Sequence, residues 1–162
     1  MRKFEKISFN QFKKDISDDK KLYDSISLPK RSTCNSAGYD IKSLEDYVLK
    51  PGESHSFKTG LKVSMNSDEM LFLIVRSSVG FKYDVCLSNN VGVIDSDYYN
   101  NPDNEGHMAI KLINHGEKDF IIKEGDRIAQ GIFIKYLTVD DEEKINNKRT
   151  GGIGSTNKKE GK

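Results

Sequence analysis

Residues 108–137 read MAIKLINHGEKDFIIKEGDRIAQGIFIKYL, three apolar runs (108–113, 120–122 and 128–137) parted by polar, glycine-bearing breaks. Runs this short and rich in isoleucine suit strands better than helices, which advertise themselves by a longer stripe at a 3.6-residue period. Glu124-Gly125-Asp126 falls between two runs, where the chain must reverse, and reads as a hairpin turn. The same texture recurs upstream at 47–49, 56–57, 61–65, 71–75 and 91–94, with Pro51-Gly52 as a second hairpin turn. Many short strands with turn residues between them predict an all-β sandwich or barrel.

Outside this region the texture changes at both ends. Phe9, Phe12 and Ile16 fall at helical spacing, and Ser8 with Gln11 forms the pattern of a capping box, which predicts one short amphipathic helix within residues 1–24. Beyond Leu137 the chain turns acidic (VDDEEK), then polar, then glycine-rich (RTGGIGSTN), and ends in KKEGK. That composition buries too little apolar surface to hold itself in place, so residues 141–162 are expected to form a flexible C-terminal arm on a single domain of residues 1–140.

The chain has 162 residues, 35% apolar and 31% charged, with 26 Lys and Arg against 25 Asp and Glu. A net charge of +1 supplies no field for stable nucleic-acid binding, so any phosphate affinity rests on a few placed groups. The strongest apolar runs are far short of the roughly 20 residues a membrane helix needs. The N-terminal MRKFEKISFNQ shows no apolar export core, and a cytoplasmic protein is expected. Cys34, Cys86, His55, His107 and His115 are scattered without metal-ligand spacing. The apolar fraction is low for a self-sufficient globule, which points to burial against further copies of the chain.

Five segments carry possible chemistry. Arg76-Ser77-Ser78 follows the run 71–75 and offers a guanidinium and two hydroxyls suited to phosphate oxygens, or else a plain strand end. Residues 89–98, NNVGVIDSDY, combine a glycine that lets backbone approach a flat ligand with Asp95, a carboxylate able to act as general base, although a hairpin with Asx-turns looks alike. RTGGIGST at 149–156 has the make-up of a phosphate cradle or of a linker, and is not a P-loop because no lysine follows in register. SAGYD at 36–40 and GDRIAQ at 125–130 read singly as turns entering strands.

In this order the five segments resemble the five motifs of the trimeric deoxyuridine triphosphate nucleotidohydrolases (dUTPases), across residues 36–156. The resemblance implies a distorted jelly-roll β-barrel, a homotrimer with active sites between subunits, and Mg²⁺-assisted hydrolysis of dUTP to dUMP and pyrophosphate, which limits uracil in DNA and supplies dUMP for thymidylate synthesis. By similarity, Asp95 activates the water that attacks the α-phosphorus. Asn89 with the backbone of Gly92, Val93 and Ile94 reads the uracil edge, and Tyr98 packs where a 2′-hydroxyl would sit. Arg76, Ser77, Ser78 and Gln130 bind phosphates. Arg149, Ile153, Gly154, Ser155 and Thr156 close over the triphosphate from another subunit, and Asp40 meets the metal through water only.

Departures from the family pattern are Ile153 for the usual phenylalanine, Asn157 and Ser78 for glycines, and Gly131 for a larger apolar residue. The segment YNNPDNEG at 99–106 is longer than the usual turn and is expected beside the active-site mouth or at a subunit contact. Two other readings share the residues: a dCTP deaminase or bifunctional deaminase, which uses a similar Arg-Ser-Ser element, and a nucleotide-sensing regulatory protein with a partner yet unknown.

Overall fold

The computed structural model describes residues 1–143, 145 and 149–152. The chain opens with β1 (Lys3–Lys6), α1 (Phe9–Asp15) and α2 (Lys20–Ser25). Six strands follow, β2 (Lys30–Arg31), β3 (Tyr39–Lys42), β4 (Tyr47–Leu49), β5 (Ser54–Lys58), β6 (Leu61–Ser64) and β7 (Glu69–Ile74). After α3 (Ser77–Tyr83) come β8 (Val85–Leu87), β9 (Gly92–Asp95), a 3-10 turn at Ser96–Tyr98, β10 (Ala109–Asn114), β11 (Phe120–Ile122) and β12 (Arg127–Lys135).

All pairing among the described residues is antiparallel, in sheets ordered β2-β3-β12-β7-β9 and β5-β10-β8 with the pairs β1-β6 and β4-β11. Only β2 and β3 are paired neighbours in sequence, and this long-range weave is the jelly-roll-like β fold expected. It also corrects both hairpin assignments. Pro51-Gly52 carries the chain from β4, which pairs with β11, to β5, which pairs with β10. Glu124-Gly125-Asp126 likewise passes from β11 to β12 in another sheet. These corners are held by distant partners, Gly52 N–H to Asn114 O at 2.8 Å and Gly125 N–H to Ser43 O at 2.9 Å. Both glycines have positive φ, 77° and 88°, so the local turn chemistry was legible although its destination was not.

Burial alternates along the strands as a sheet with one face on the core requires. Leu71 and Leu73 of β7, Ile110 and Leu112 of β10, and Leu61 and Val63 of β6 point inward. Gly131 of β12 is explained by the same packing, because a Cβ there would sit 2.9 Å from Cδ1 of Leu71.

The predicted helix forms as α1, with Phe12 fully buried and Phe9 and Ile16 packed against the core. Ser8 Oγ accepts from Gln11 N–H at 3.1 Å, but the other half of the capping box is not local. The Gln11 side chain donates to Asp15 Oδ2 at 2.8 Å, and Ser8 N–H is satisfied by Glu105 Oε2 at 2.9 Å. The N-terminal segment is therefore fastened to the 99–106 loop. β1, with only four residues, pairs with β6 and escaped the pattern reading, as did α2 with its Asp19 cap.

Candidate active site

Gly92 begins β9 where that strand lies against β7, with Gly92 opposite Leu73 and Asp95 opposite Met70. A Cβ on Gly92 would stand 3.0 Å from Cβ of Leu73, so glycine permits the close approach. Two cavities adjoin β9. One, of about 360 Å³, is lined by Asn89, Gly92, Val93 and Ile94 together with Leu73 and Leu87. The other, of about 300 Å³, is lined by Asp95, Tyr98, Lys58, Asn104, His107 and Arg149. Val93, Ile94 and Ala109 belong to both, so the two make a continuous trough along β9. The first is mainly apolar, with Asn89, Ser56, Ser88 and Lys111 as its polar lining, and the second carries most of the charge.

Asp95 is half exposed and ion-paired to Nη2 of Arg149, whose Nε meets Asp97 Oδ1 at 2.8 Å. The guanidinium also lies 5.8 Å from the centre of the Tyr98 ring. Tyr98 donates its hydroxyl proton to His107 O at 2.9 Å and accepts from Asn104 Nδ2 at 2.8 Å. Burial pushes this phenol above its ordinary value, so it stays a neutral wall. Ile153, Gly154, Ser155 and Thr156, and the expected mobility of most of the arm, lie outside the described residues.

His107 anchors the wall from behind. Its ring is buried, Nε2 accepts from Gly60 N–H at 2.9 Å, and Nδ1 lies 2.6 Å from Asp15 Oδ2. Because Nε2 must accept, the ring is neutral with its proton on Nδ1, donated to Asp15 of α1. Burial drives the His107 pKa down, against the pull of Asp15. Burial alone would raise Asp15, but hydrogen bonds from Gln11 and His107 outweigh it and hold the carboxyl below its ordinary range.

Both shifts have the same sign of linkage, since each group binds fewer protons folded than unfolded. The stabilisation from His107 is complete above its unfolded pKa, about 6.5, and drains as pH falls toward the folded value; that from Asp15 drains at still lower pH. The thermal midpoint is expected to fall between pH 7 and pH 5, and His107→Asn to flatten that slope in a melting series. Identical slopes for both proteins would place the acid sensitivity elsewhere.

The remaining predicted residues gather in a second place. Arg76 ends the β7 segment and precedes α3, so Arg-Ser-Ser is a strand-to-helix junction rather than a simple turn, with Ser77 and Ser78 exposed as the first helical residues. Arg76 Nε meets Asp40 Oδ1 at 3.0 Å, while Asp40 Oδ2 holds Ser32 Oγ at 2.6 Å and Arg127 Nη1 at 3.3 Å. Gln130 sits opposite Asp40 on β12, its Nε2 3.4 Å from Val75 O. Gly38 makes room for it, because a Cβ there would lie 2.0 Å from Gln130 Oε1.

Within one chain the two clusters lie toward opposite ends of β7. Asp95 is opposite Met70, and Arg76 is six residues further along, about 20 Å at roughly 3.3 Å per residue. Lys58 and Asn104 were not singled out in the sequence, and Arg127 was read only as part of GDRIAQ. Nothing in the local pattern marks Lys58, and Asn104 lies in the long loop, which now proves to line the charged cavity with Asp103 and Asn104.

An antiparallel β domain with a nucleoside-sized trough, a carboxylate at its rim and arginine-hydroxyl elements has the make-up of a nucleotide hydrolase. The family model for dUTPase matches residues 24–157. Deoxyuridine 5'-triphosphate nucleotidohydrolase of Lactococcus lactis subsp. lactis is 48% identical over 132 residues, covering 81% of this chain and 88% of its own. That of Nautilia profundicola is 35% identical over 143 residues, 86% and 96%. The crystal structure of dUTPase from Streptococcus mutans superposes with a TM-score of 0.68 at 39% identity, over 85% of this chain and 98% of that one. A phage phi11 dUTPase of S. aureus, described with a structural Mg(II) ion, shares the fold at 22% identity and a TM-score of 0.66, over 91% and 97%. The chain belongs to the dUTPase family and is a dUTP diphosphatase, a hydrolase.

Proposed function

We propose that the trough along β9 holds the deoxyuridine and that Asp95 takes a proton from the water that attacks the α-phosphorus, releasing pyrophosphate and dUMP. The observation that supports this best is Asp95, half exposed at the rim of a cavity walled by Tyr98 and continuous with the apolar cavity beside Asn89. Asn89 and the backbone of Gly92, Val93 and Ile94 face the uracil, and the Tyr98 ring leaves neither room nor a partner for a 2′-hydroxyl. Arg76, Ser77, Ser78 and Gln130 bind phosphates, and Arg149, with Ile153, Gly154, Ser155 and Thr156, covers them.

The span of up to about 20 Å of backbone between Asp95 and Arg76 favours a site in which one substrate meets the two groups on different chains. A homotrimer with its sites between subunits satisfies this with closed symmetry. Mg²⁺ fits the donor set as an ion carried by the triphosphate. Among the described residues no group of three or more His, Cys, Asp or Glu is placed to hold a metal, and the Asp40 oxygens already face Arg76, Arg127 and Ser32, leaving Asp40 an outer role through water. Bound there, the ion neutralises charge on the phosphate oxygens. No described helix is long and apolar enough to cross a membrane, in keeping with a proposed cytoplasmic site of action.

Mass spectrometry of products after separate incubation with dUTP, dCTP, dTTP and UTP and Mg²⁺ tests the reading. Monophosphate and pyrophosphate from dUTP alone are expected. Conversion of dCTP would make this a deaminase or bifunctional enzyme, and binding without turnover would leave a nucleotide sensor.

A further inference from the structure

The 99–106 loop is ordered by its own side chains. Asn101 Nδ2 donates to Tyr98 O and to Asn104 Oδ1, each at 2.8 Å, and Asn101 Oδ1 accepts from the N–H groups of Asp103 and Asn104. Asn104 Oδ1 also accepts from Gly106 N–H at 3.0 Å. With two donors on its oxygen, the Asn104 amide has one orientation, and its nitrogen is presented to the Tyr98 hydroxyl. That hydroxyl spends its single proton on His107 O and so accepts from Asn104. The phenol is gripped from two directions, by the loop and by a backbone fixed through the buried His107 ring. Gly106, at φ 82° and with a Cβ position only 2.6 Å from Tyr98 O, lets the loop close this tightly.

We infer that Asn104 is a positioning residue for sugar discrimination, holding the Tyr98 ring against the place of the missing 2′-hydroxyl, with His107 O as the second clamp. The inference rests on the proposed role of Tyr98. It gives the long loop and the N-terminal segment one purpose, since α1 reaches the clamp through Asp15 and through Ser8 on Glu105. The arm meets the same pair. A Cβ on Gly152 would lie 3.3 Å from Asn104 Nδ2 and 3.4 Å from the Tyr98 hydroxyl oxygen.

Asn104→Asp is the discriminating substitution. It keeps the shape and the oxygen that the loop needs, but turns an acceptor toward a hydroxyl whose proton is already used. The quantity to measure is the ratio of kcat/KM for dUTP to that for UTP, with kcat and KM resolved for each. Both nucleotides carry the same triphosphate, so the added negative charge cancels in the ratio. We expect the ratio to fall about tenfold, the size of one lost hydrogen bond. Tyr98→Phe removes both bonds and keeps the ring, so it should lower the ratio at least as far, and the double variant should fall no further than Tyr98→Phe alone, because Asn104 then has no hydroxyl to hold.

Tyr98→Ala is the control, and its ratio should collapse. A collapse there with an unchanged ratio in Asn104→Asp overturns the inference and spares the Tyr98 reading. An unchanged ratio in Tyr98→Ala overturns both. Equal loss on the two substrates with a lowered melting temperature in Asn104→Asp would make Asn104 a structural residue only and also overturns it.

Discussion

Asparagine in place of Asp95 is expected to leave dUTP bound and unhydrolysed. The substitution changes almost no volume and removes only the capacity to take a proton, so the loss belongs to kcat, by about 10²–10⁴-fold for a general base. The trough is otherwise untouched, because Asp95 lies at its rim and not in the apolar part beside Asn89, Gly92 and Leu73. Arg149 keeps Asp97 as an ionic partner at 2.8 Å and retains an acceptor on the new amide, so the arm has little reason to leave. Calorimetric titration with dUTP should give an affinity within a few-fold of the parent protein. Turnover within threefold of the parent would remove Asp95 from the chemistry, and lost binding would make it a binding residue instead.

How far the sequence carries this argument depends on distance along the chain. The strands at 47–49 and 120–122 were readable to the residue because each is a compact apolar run between polar breaks. β2 and β8 were not: β2 is two exposed basic residues with no apolar pattern, and β8 is three residues long and defined by β10, 25 or more residues downstream. α3 was hidden for a related reason. A helix with Val79 as its one buried residue and Gly80 inside it has neither stripe nor propensity to announce it. The turn at Gly125 was visible from its φ-permissive residue, yet which sheet received the next strand is decided by β3 and β7, some 50 to 90 residues upstream.

The site shows the same division. Asp95, Tyr98 and Gly92 sit in one continuous segment, so their grouping in a single trough follows from one strand and one 3-10 turn. His107 reads in sequence as an isolated histidine. Its role as a neutral buried anchor needs Gly60 and Asp15, 47 and 92 residues away, to be seen beside it. Asp40 was read as an outer metal contact, and its neighbours Arg76 and Arg127 show a second duty that no single motif displays, the fixing of two arginines.

Mixing two inactive variants should restore activity. In Arg76→Ala the guanidinium proposed to bind phosphate is gone, while Asp40 keeps Arg127 and Ser32 and is not left as an unpaired buried charge. In Asp95→Asn the proposed base is gone and the Arg76 cluster is intact. If each site takes Asp95 from one chain and Arg76 from another, random assembly from equal amounts gives about one site in four with both groups overall, and every mixed trimer has one intact site of its three, so purified mixed trimers should show about a third of the parent's turnover. If a site lay within one chain, no mixture would contain an intact one. Co-expression with two different tags and tandem purification isolates the mixed oligomers on which this is read. Mixed oligomers no more active than either variant alone would return Asp95 and Arg76 to separate roles, and the span of about 20 Å along β7 would then have to be closed by a rearrangement within one subunit.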